Sequence, residues 1–202
     1  MKTKMKQNIT KNQTKIIIAT IWIVLSILVW SLIPASRKGP MGFGPPASMT
    51  IFKASDGSFS ILSPANWVAF NLPQGYHGDK EIVASIAVSG REFAIINIAH
   101  KLFPDGKVND VVDWGQSRAA RSIDYVPTPL IPLSDSELTG FVQDYKWLHS
   151  SYDKILMHCQ DVYVLANNDG YALSFCSKEE DWTSLKDIYI EMQQSFSIRG
   201  EK

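Results

Sequence analysis

The stretch KILMHCQDVYVLANNDGYALSFCS, residues 154–177, decides the fold of this chain of 202 residues. Two runs rich in apolar and aromatic residues, 154–165 and 171–177, flank the turn sequence Asn167-Asn168-Asp169-Gly170. Such runs favour strands, and Asn and Gly accept the positive φ that tight hairpin turns require. The stretch therefore predicts an antiparallel β-hairpin.

Cys159 and Cys176 are the only cysteines of the chain, and each lies on one strand of this hairpin. If Asn167 and Asn168 form its tip, the two cysteines stand directly opposite each other, within reach of a disulfide. A Cys159–Cys176 disulfide is therefore predicted, since an exported domain meets oxidising conditions. A register slip of one residue would put the sulfur atoms on opposite faces, and two buried free thiols are the alternative.

Further strands are predicted ahead of the hairpin. The dipeptide Asp56-Gly57 is a turn signal between two short strands, and Ser89-Gly90-Arg91 separates two longer, mainly apolar runs. The apolar character of these longer runs predicts strands buried on both faces, near the middle of the sheet. The predicted strands are Thr50–Lys53, Ser58–Leu62, Glu81–Val88, Glu92–His100 and Phe141–Ser150.

Two amphipathic helices are predicted from apolar residues at helical spacing. The first covers residues 108–122 and is followed by a Pro-rich loop, Tyr125–Leu133. The second begins near Glu179, and its apolar face consists of Trp182, Leu185, Tyr189, Met192 and Phe196. Together the elements predict an α+β fold in which helices flank an antiparallel sheet.

The N-terminal part of the chain has a different character. Residues 16–33, IIIATIWIVLSILVWSLI, carry no charge and would rise about 27 Å as a helix, close to the thickness of a bilayer core. We expect a transmembrane helix over 16–35, a cytoplasmic basic segment over 1–15, a Gly/Pro-rich tether over 36–49, and an extracytoplasmic domain over 50–202. A cleaved signal peptide is the alternative, but it would normally have a shorter apolar stretch and small residues before the cut.

Charge separates the two parts of the chain. Residues 1–38 contain seven basic residues and no acidic residue, which leaves 13 basic and 20 acidic residues in the remainder, a net charge of −7. An acidic domain lacks the basic surface that nucleic acid requires. Protein or small-molecule partners are therefore expected instead.

Two segments, SDGSFSILSPANW at 55–67 and SLKDIYIEMQQSFSI at 184–198, resemble the PsbP-like family. That family shares an antiparallel sheet flanked by helices, an α/β/α sandwich, and the predicted order of elements is similar across most of the domain. It includes an extrinsic subunit of the oxygen-evolving photosystem and bacterial envelope proteins of unknown role. The resemblance implies a non-catalytic accessory module and transfers no functional residue.

Motifs for catalysis or metal binding are not evident in the sequence. Neither Gly-x-Ser-x-Gly nor His-Glu-x-x-His occurs. Asp144 and Asp161 are the nearest candidates for paired carboxylates, but solvent-facing strand positions explain them. Cys159 and Cys176 could offer sulfur ligands together with Met157, yet strand alternation sends His158 to the other face. No cofactor, metal or catalytic residue is therefore predicted.

The expected function is that of a membrane-anchored binding or accessory module that assembles with another envelope protein. A small-ligand carrier or sensor, with a pocket between the sheet and the helices, is the first alternative. A hydrolase without a recognisable signature is the second.

Overall fold

The β-hairpin lies at the centre of the sheet. The computed structural model of the chain describes residues 48–73, 75, 79–88, 90–133, 138–149 and 154–199. The strands are β1 (Met49–Lys53), β2 (Phe59–Pro64), β3 (Val68–Asn71), β4 (Ile82–Ala87), β5 (Ile95–Leu102), β6 (Ile123–Pro127), β7 (Ile131–Pro132), β8 (Gly140–His149), β9 (Ile155–Ala166), β10 (Asp169–Lys178) and β11 (Ser197–Ile198). The helices are α1 (Val108–Ala119) and α2 (Glu179–Gln194).

Eight strands form the main sheet, and every pairing in it is antiparallel. The strand order is β3-β4-β5-β10-β9-β8-β6, and β7 also pairs with β8. A smaller sheet has the order β1-β2-β11. The predicted antiparallel α+β architecture is confirmed.

The hairpin turn fixes the register of β9 and β10. Asn167 and Asn168 are the two loop residues, with φ of 50° and 72°, as a type I′ turn requires. The strands then pair so that Cys159 faces Cys176 and Asp161 faces Ser174. This is the register that the sequence predicts.

Helix α1 packs on one face of the main sheet, here called the α1 face. Val111 and Val112 are buried against Tyr163 of β9 and Ala172 of β10. Gly115 lets the helix approach closely, since a Cβ there would collide with the Tyr163 ring. The start of α1 is fixed by Asp110, whose carboxylate accepts a 2.6 Å hydrogen bond from the Lys107 backbone N–H.

Helix α2 covers the opposite face, here called the α2 face. Its Tyr189 packs on Phe175 of β10 and on Trp67, with ring centroids 5.4 and 6.2 Å apart. The buried Tyr189 hydroxyl donates a 3.0 Å hydrogen bond to the Cys176 carbonyl. Burial raises the pKa of Tyr189. The aromatic face predicted for this helix is therefore its buried face.

Several elements differ from the sequence prediction. Four strands were not predicted: β3, β6, β7 and β11. Of these, β6 and its short continuation β7 cover much of the predicted loop Tyr125–Leu133. Pro127 and Pro132 stand at the ends of β6 and β7, at the edge of the sheet, where a missing N–H is tolerated. Helix α1 ends at Ala119 rather than at residue 122.

Neither described helix is long and apolar enough to cross a membrane. The predicted transmembrane helix at 16–35, the basic segment 1–15 and most of the tether 36–49 lie outside the described residues. Met49, placed in the tether by the sequence, is the first residue of β1.

Candidate functional site

A row of polar side chains crosses the α1 face of the main sheet. The register places Ser85 opposite Asn97, Asn97 opposite Ser174, Ser174 opposite Asp161, and Asp161 opposite Gln143. These five residues come from five adjacent strands, β4, β5, β10, β9 and β8. Ser85, Gln143 and Asp161 are buried, so the row is an interior feature rather than a solvated face.

Asp161 lies at the buried centre of this row. Its exposed fraction is 3%, so the predicted solvent-facing position is wrong. Burial raises the pKa of Asp161 to about 6, although the nearby hydroxyl groups of Ser174, Tyr163 and Tyr145 oppose the shift. The Tyr163 hydroxyl donates to Asp161 at 3.1 Å. Strand alternation does put Asp161 on one face, but that face is covered by α1.

Tyrosine and glutamine side chains enclose Asp161. Burial, followed by the Asp161 charge, raises the pKa of Tyr145 well above its usual range. Gln116 of α1 donates a 2.9 Å hydrogen bond to the Gln143 side-chain oxygen. The Gln143 amide donates in turn to the Thr128 carbonyl at 2.6 Å. The network ties α1 to the sheet above the buried Asp161.

The two cysteines lie beside the polar row. Cys159 and Cys176 are joined in a disulfide whose Cα atoms are 4.2 Å apart. The indole N–H of Trp147 donates to the Cys159 sulfur at 3.2 Å. In the structure, therefore, the pair that the sequence brings together is bridged and packed under an aromatic side chain.

His158 lies on the α2 face, away from both cysteines. Its ring stacks on Trp182 at 3.9 Å between centroids, and its Nδ1 lies 2.9 Å from a Glu179 oxygen. Burial lowers the pKa of His158, against the opposing effect of Glu179. Among the described residues no group of three or more His, Cys, Asp or Glu side chains is placed to hold a metal ion.

A cavity of about 560 Å³ opens on the α1 face next to the disulfide. We call it the α1-face cavity; it is lined by Ala87, Arg91, Glu92, Phe93, Ala94, Ile95, Asn97, Trp147, His149, Met157 and Cys176. Its volume falls in the range of small-molecule sites, roughly 300–1,000 Å³. No lining residue belongs to a helix, so the cavity is not a pocket between the sheet and the helices of the kind the sequence suggested.

One wall of this cavity is aromatic, and its polar lining residues are Arg91, Glu92, Asn97 and His149. Phe93 lies 4.7 Å from the His149 ring, and Trp147 lies 5.5 Å from it, between ring centroids. Asn97 accepts a 2.5 Å hydrogen bond from Ser85 through its oxygen, and its amide nitrogen has no partner in the described part of the chain. The buried Nδ1 of His149 is also without a partner among the described residues.

A second concave surface lies on the α2 face at the β6 edge. We call it the β6 groove; its apolar lining includes Val126, Pro127, Leu148 and Leu156, and its volume is about 570 Å³. Val126 is 64% exposed and Leu156 is 42% exposed. Further exposed apolar side chains of the same edge are Ile123, Leu130 and Ile131. This concentration of exposed apolar residues is typical of a binding surface.

Acidic side chains border the β6 groove. Asp124 and Asp144 both line it, and neither forms an ion pair within the described ranges. Lys146 also lines the groove, but its ammonium group pairs with Glu179 at 2.6 Å. The groove therefore combines an apolar lining with two carboxylates that form no ion pair in the described part of the chain.

The sequence did not predict either surface. The β6 groove depends on Val126 and Pro127, which were assigned to a loop. Its trace in the sequence is a cluster of large apolar residues among prolines: Ile123, Val126, Leu130 and Ile131. The cavity depends on Phe93 in the turn between β4 and β5, and no sequence pattern indicated it.

Comparison with solved structures identifies the fold. The cyanobacterial PsbP protein (CyanoP) from Synechocystis sp. PCC 6803 matches with a TM-score of 0.57 and 11% identity, over 79% of this chain and 99% of that chain. LpqN, involved in cell envelope biogenesis of Mycobacterium tuberculosis, matches with a TM-score of 0.54 and 9% identity, over 75% of this chain and 90% of that chain. The domain therefore has a PsbP-like fold, as the sequence resemblance implied.

No protein-family model matches the chain, and no curated protein matches its sequence.

Proposed function

We propose that this chain is a membrane-anchored, extracytoplasmic accessory module that binds another envelope protein through the β6 groove and does not catalyse a reaction. The observation that carries the proposal is the exposed apolar lining of the groove, represented by Val126 and Leu156. Burying such side chains against a partner contributes about 25 cal/mol per Å² of apolar surface. A partner would thus cover surface that is otherwise in contact with water.

The charge of the groove defines the chemistry of the partner. Asp124 and Asp144 form no ion pair with any residue that the structure describes, and the chain beyond residue 38 has a net charge of −7. A matching segment inserts a large apolar side chain between these carboxylates and places Lys or Arg beside them. Complementary charge of this kind speeds association and discriminates between partners.

The anchor and the compartment are supported by separate features. Residues 16–33 are uncharged and follow five lysines, a bias that favours a cytoplasmic N-terminus. The Cys159–Cys176 disulfide is of the type that persists outside the cytosol. LpqN, whose fold is similar, is described as involved in cell envelope biogenesis.

Photo-crosslinking tests the proposed docking. A photoreactive amino acid at position 126 of the full-length chain, in its own membrane, should give one crosslinked protein. The same label at the exposed Thr183 of α2 should not give it. The crosslinked peptide should contain Lys or Arg next to a large apolar residue. Equal labelling from both positions would contradict the proposal.

A pair of charge variants tests the chemistry of the partner. The double variant D124N/D144N should reduce the crosslink from position 126 by about tenfold, since two complementary charges are lost. The matched control D113N/D187N removes the same charge from exposed positions on the two helices and should leave the crosslink unchanged. An unchanged crosslink in D124N/D144N would reject the basic partner.

Membrane fractionation tests the anchor independently. The full-length chain should stay in the membrane fraction after alkaline carbonate extraction, and its two cysteines should resist alkylation until a reductant is added. Recovery in the soluble fraction, with both thiols reactive, would contradict the anchor and the compartment together.

A further inference from the structure

We propose that the α1-face cavity is a binding site for a flat, largely aromatic small molecule that carries a carboxylate or carbonyl oxygen. This site is separate from the β6 groove, which lies on the other face of the sheet and shares no lining residue with it. Ligand binding in the α1-face cavity therefore does not depend on protein binding in the β6 groove.

The shape of the site follows from its aromatic wall. The His149 ring contacts both Phe93 and Trp147 along one side of the cavity, with ring centroids 4.7 Å and 5.5 Å away respectively. Met157 and Cys176 contribute apolar surface on the sheet. An aromatic wall of this kind favours a planar ring, which gains contact area with little loss of flexibility.

The backbone of Phe93 supports a role for its ring. Phe93 has φ of +66°, a conformation that a bulky residue rarely adopts. Its ring packs on His149, and the Lys178 ammonium lies 5.4 Å from its centroid. Strained residues of this kind concentrate at binding sites, where the surrounding structure holds a side chain in place.

The polar groups of the site define the ligand's functional group. The Asn97 amide nitrogen is a donor without an acceptor among the residues described, because the Asn97 oxygen accepts from Ser85. The His149 Nδ1 is buried without a partner within the described ranges. A ligand oxygen can accept a hydrogen bond from the Asn97 amide, and a polar group of the same ligand can form a hydrogen bond with the His149 Nδ1. Unfilled hydrogen-bonding groups next to an apolar cavity are what orient small ligands.

Two naphthalene probes of opposite charge test this assignment. The full-length chain is reconstituted in lipid nanodiscs, and 2-naphthoate and 2-naphthylmethylammonium are titrated by calorimetry, with protein-free nanodiscs titrated in parallel. The wild-type chain should bind 2-naphthoate with Kd below about 1 mM and bind the ammonium probe at least about tenfold more weakly. Absence of naphthoate binding below that limit would overturn the proposal.

Three variants locate the binding. N97D keeps the size of the side chain and the contact with Ser85 but replaces the amide donor with a carboxylate, so it should reverse the preference between the probes. A87F places a ring in the cavity and should abolish binding of both. V126D, in the β6 groove, should change neither. Circular dichroism and thermal melting of each variant confirm that it remains folded.

The outcomes distinguish this site from other binding. Naphthoate affinity that survives both N97D and A87F unchanged would place the probe elsewhere and overturn the proposal. Loss of binding in V126D would assign the probe to the groove and overturn it as well. Reversal in N97D together with loss in A87F would support the cavity as the site.

Discussion

The two faces of the main sheet are built differently. On the α2 face, Tyr171, Phe175 and Tyr189 are almost fully buried and in contact with further aromatic rings. On the α1 face, a polar row with Asp161 at its centre crosses the sheet, and a cavity of about 560 Å³ lies beside it. The α2 face thus has an aromatic interior, and its concave surface lies at the exposed β6 edge, whereas the α1 face has a polar row in its interior and a cavity beside that row.

The difference indicates that the two faces of the sheet have different roles, one in stability and the other in binding. Apolar burial and close packing are the main sources of stability, so the α2 face should dominate the free energy of unfolding. Buried polar groups and cavities reduce stability and are retained where they serve binding or specificity. Four predictions test this division.

Truncation of a buried side chain on each face gives the largest effect. Leu173 is fully buried on the α2 side of β10, and L173A should lower the free energy of unfolding by about 3–4 kcal/mol. Met157 borders the α1-face cavity, so M157A removes fewer contacts and should cost at least about 1 kcal/mol less. Chemical denaturation measures the free energy of unfolding of both variants. Equal losses would contradict the proposed difference between the two faces.

Removal of the disulfide should have the next largest effect. Cys159 and Cys176 are separated by 17 residues, and a crosslink over a loop of that size contributes about 3 kcal/mol. In guanidinium denaturation, the variant C159A/C176A should therefore have a free energy of unfolding about 3 kcal/mol lower than that of the wild-type chain. A reductant should destabilise the wild-type chain similarly and leave the variant unaffected.

The buried carboxyl group of the α1 face should make stability depend on pH. The pKa of Asp161 is raised from 3.8 to about 6, so the folded state holds its proton more tightly than the unfolded state. Below pH 3.8, Asp161 therefore does not reduce the free energy of unfolding. Between pH 3.8 and about 6 the free energy of unfolding falls, and above pH 6 it is about 3 kcal/mol lower because of Asp161.

The variant D161N removes this pH-dependent cost. Its extra amide N–H costs about 1 kcal/mol if it is left unpaired, so D161N should be about 2 kcal/mol more stable than the wild-type chain at pH 8. At pH 4 the advantage should disappear. Unfolding curves at the two pH values measure the difference, and an equal effect at both would show that Asp161 is not a source of the pH dependence.

The smallest effect on stability is expected in the β6 groove. Val126 is largely exposed, so V126D should change the free energy of unfolding by less than about 0.5 kcal/mol. The same variant should prevent the proposed docking, as measured by crosslinking from the neighbouring position 156. A large loss of stability would show that the groove belongs to the core rather than to an interface.

Local sequence patterns predicted the elements that local chemistry determines. The Asn167-Asn168 turn fixed the hairpin and thereby the pairing of Cys159 with Cys176. Both helices followed from apolar spacing. The edge strand β6 was missed because Pro127 and the prolines after it are typical of loops, and the four-residue β3 was too short for a periodic pattern.

Features that depend on tertiary contacts could not be predicted in this way. Alternation places Asp161 on one face of β9, but only the packing of α1 makes that face buried. The α1-face cavity likewise arises where Phe93, from the turn after β4, meets Trp147 and His149 of β8. Residues so far apart in sequence give no common signal.

The position of β10 has a consequence for how the chain folds. β10 pairs with β5 on one side and with β9 on the other, so it is the only link between the two halves of the described main sheet. During synthesis, β5 has an unpaired edge until residues 169–178, which form β10, have emerged from the ribosome. Long-range pairing of this kind slows folding and exposes strands to aggregation.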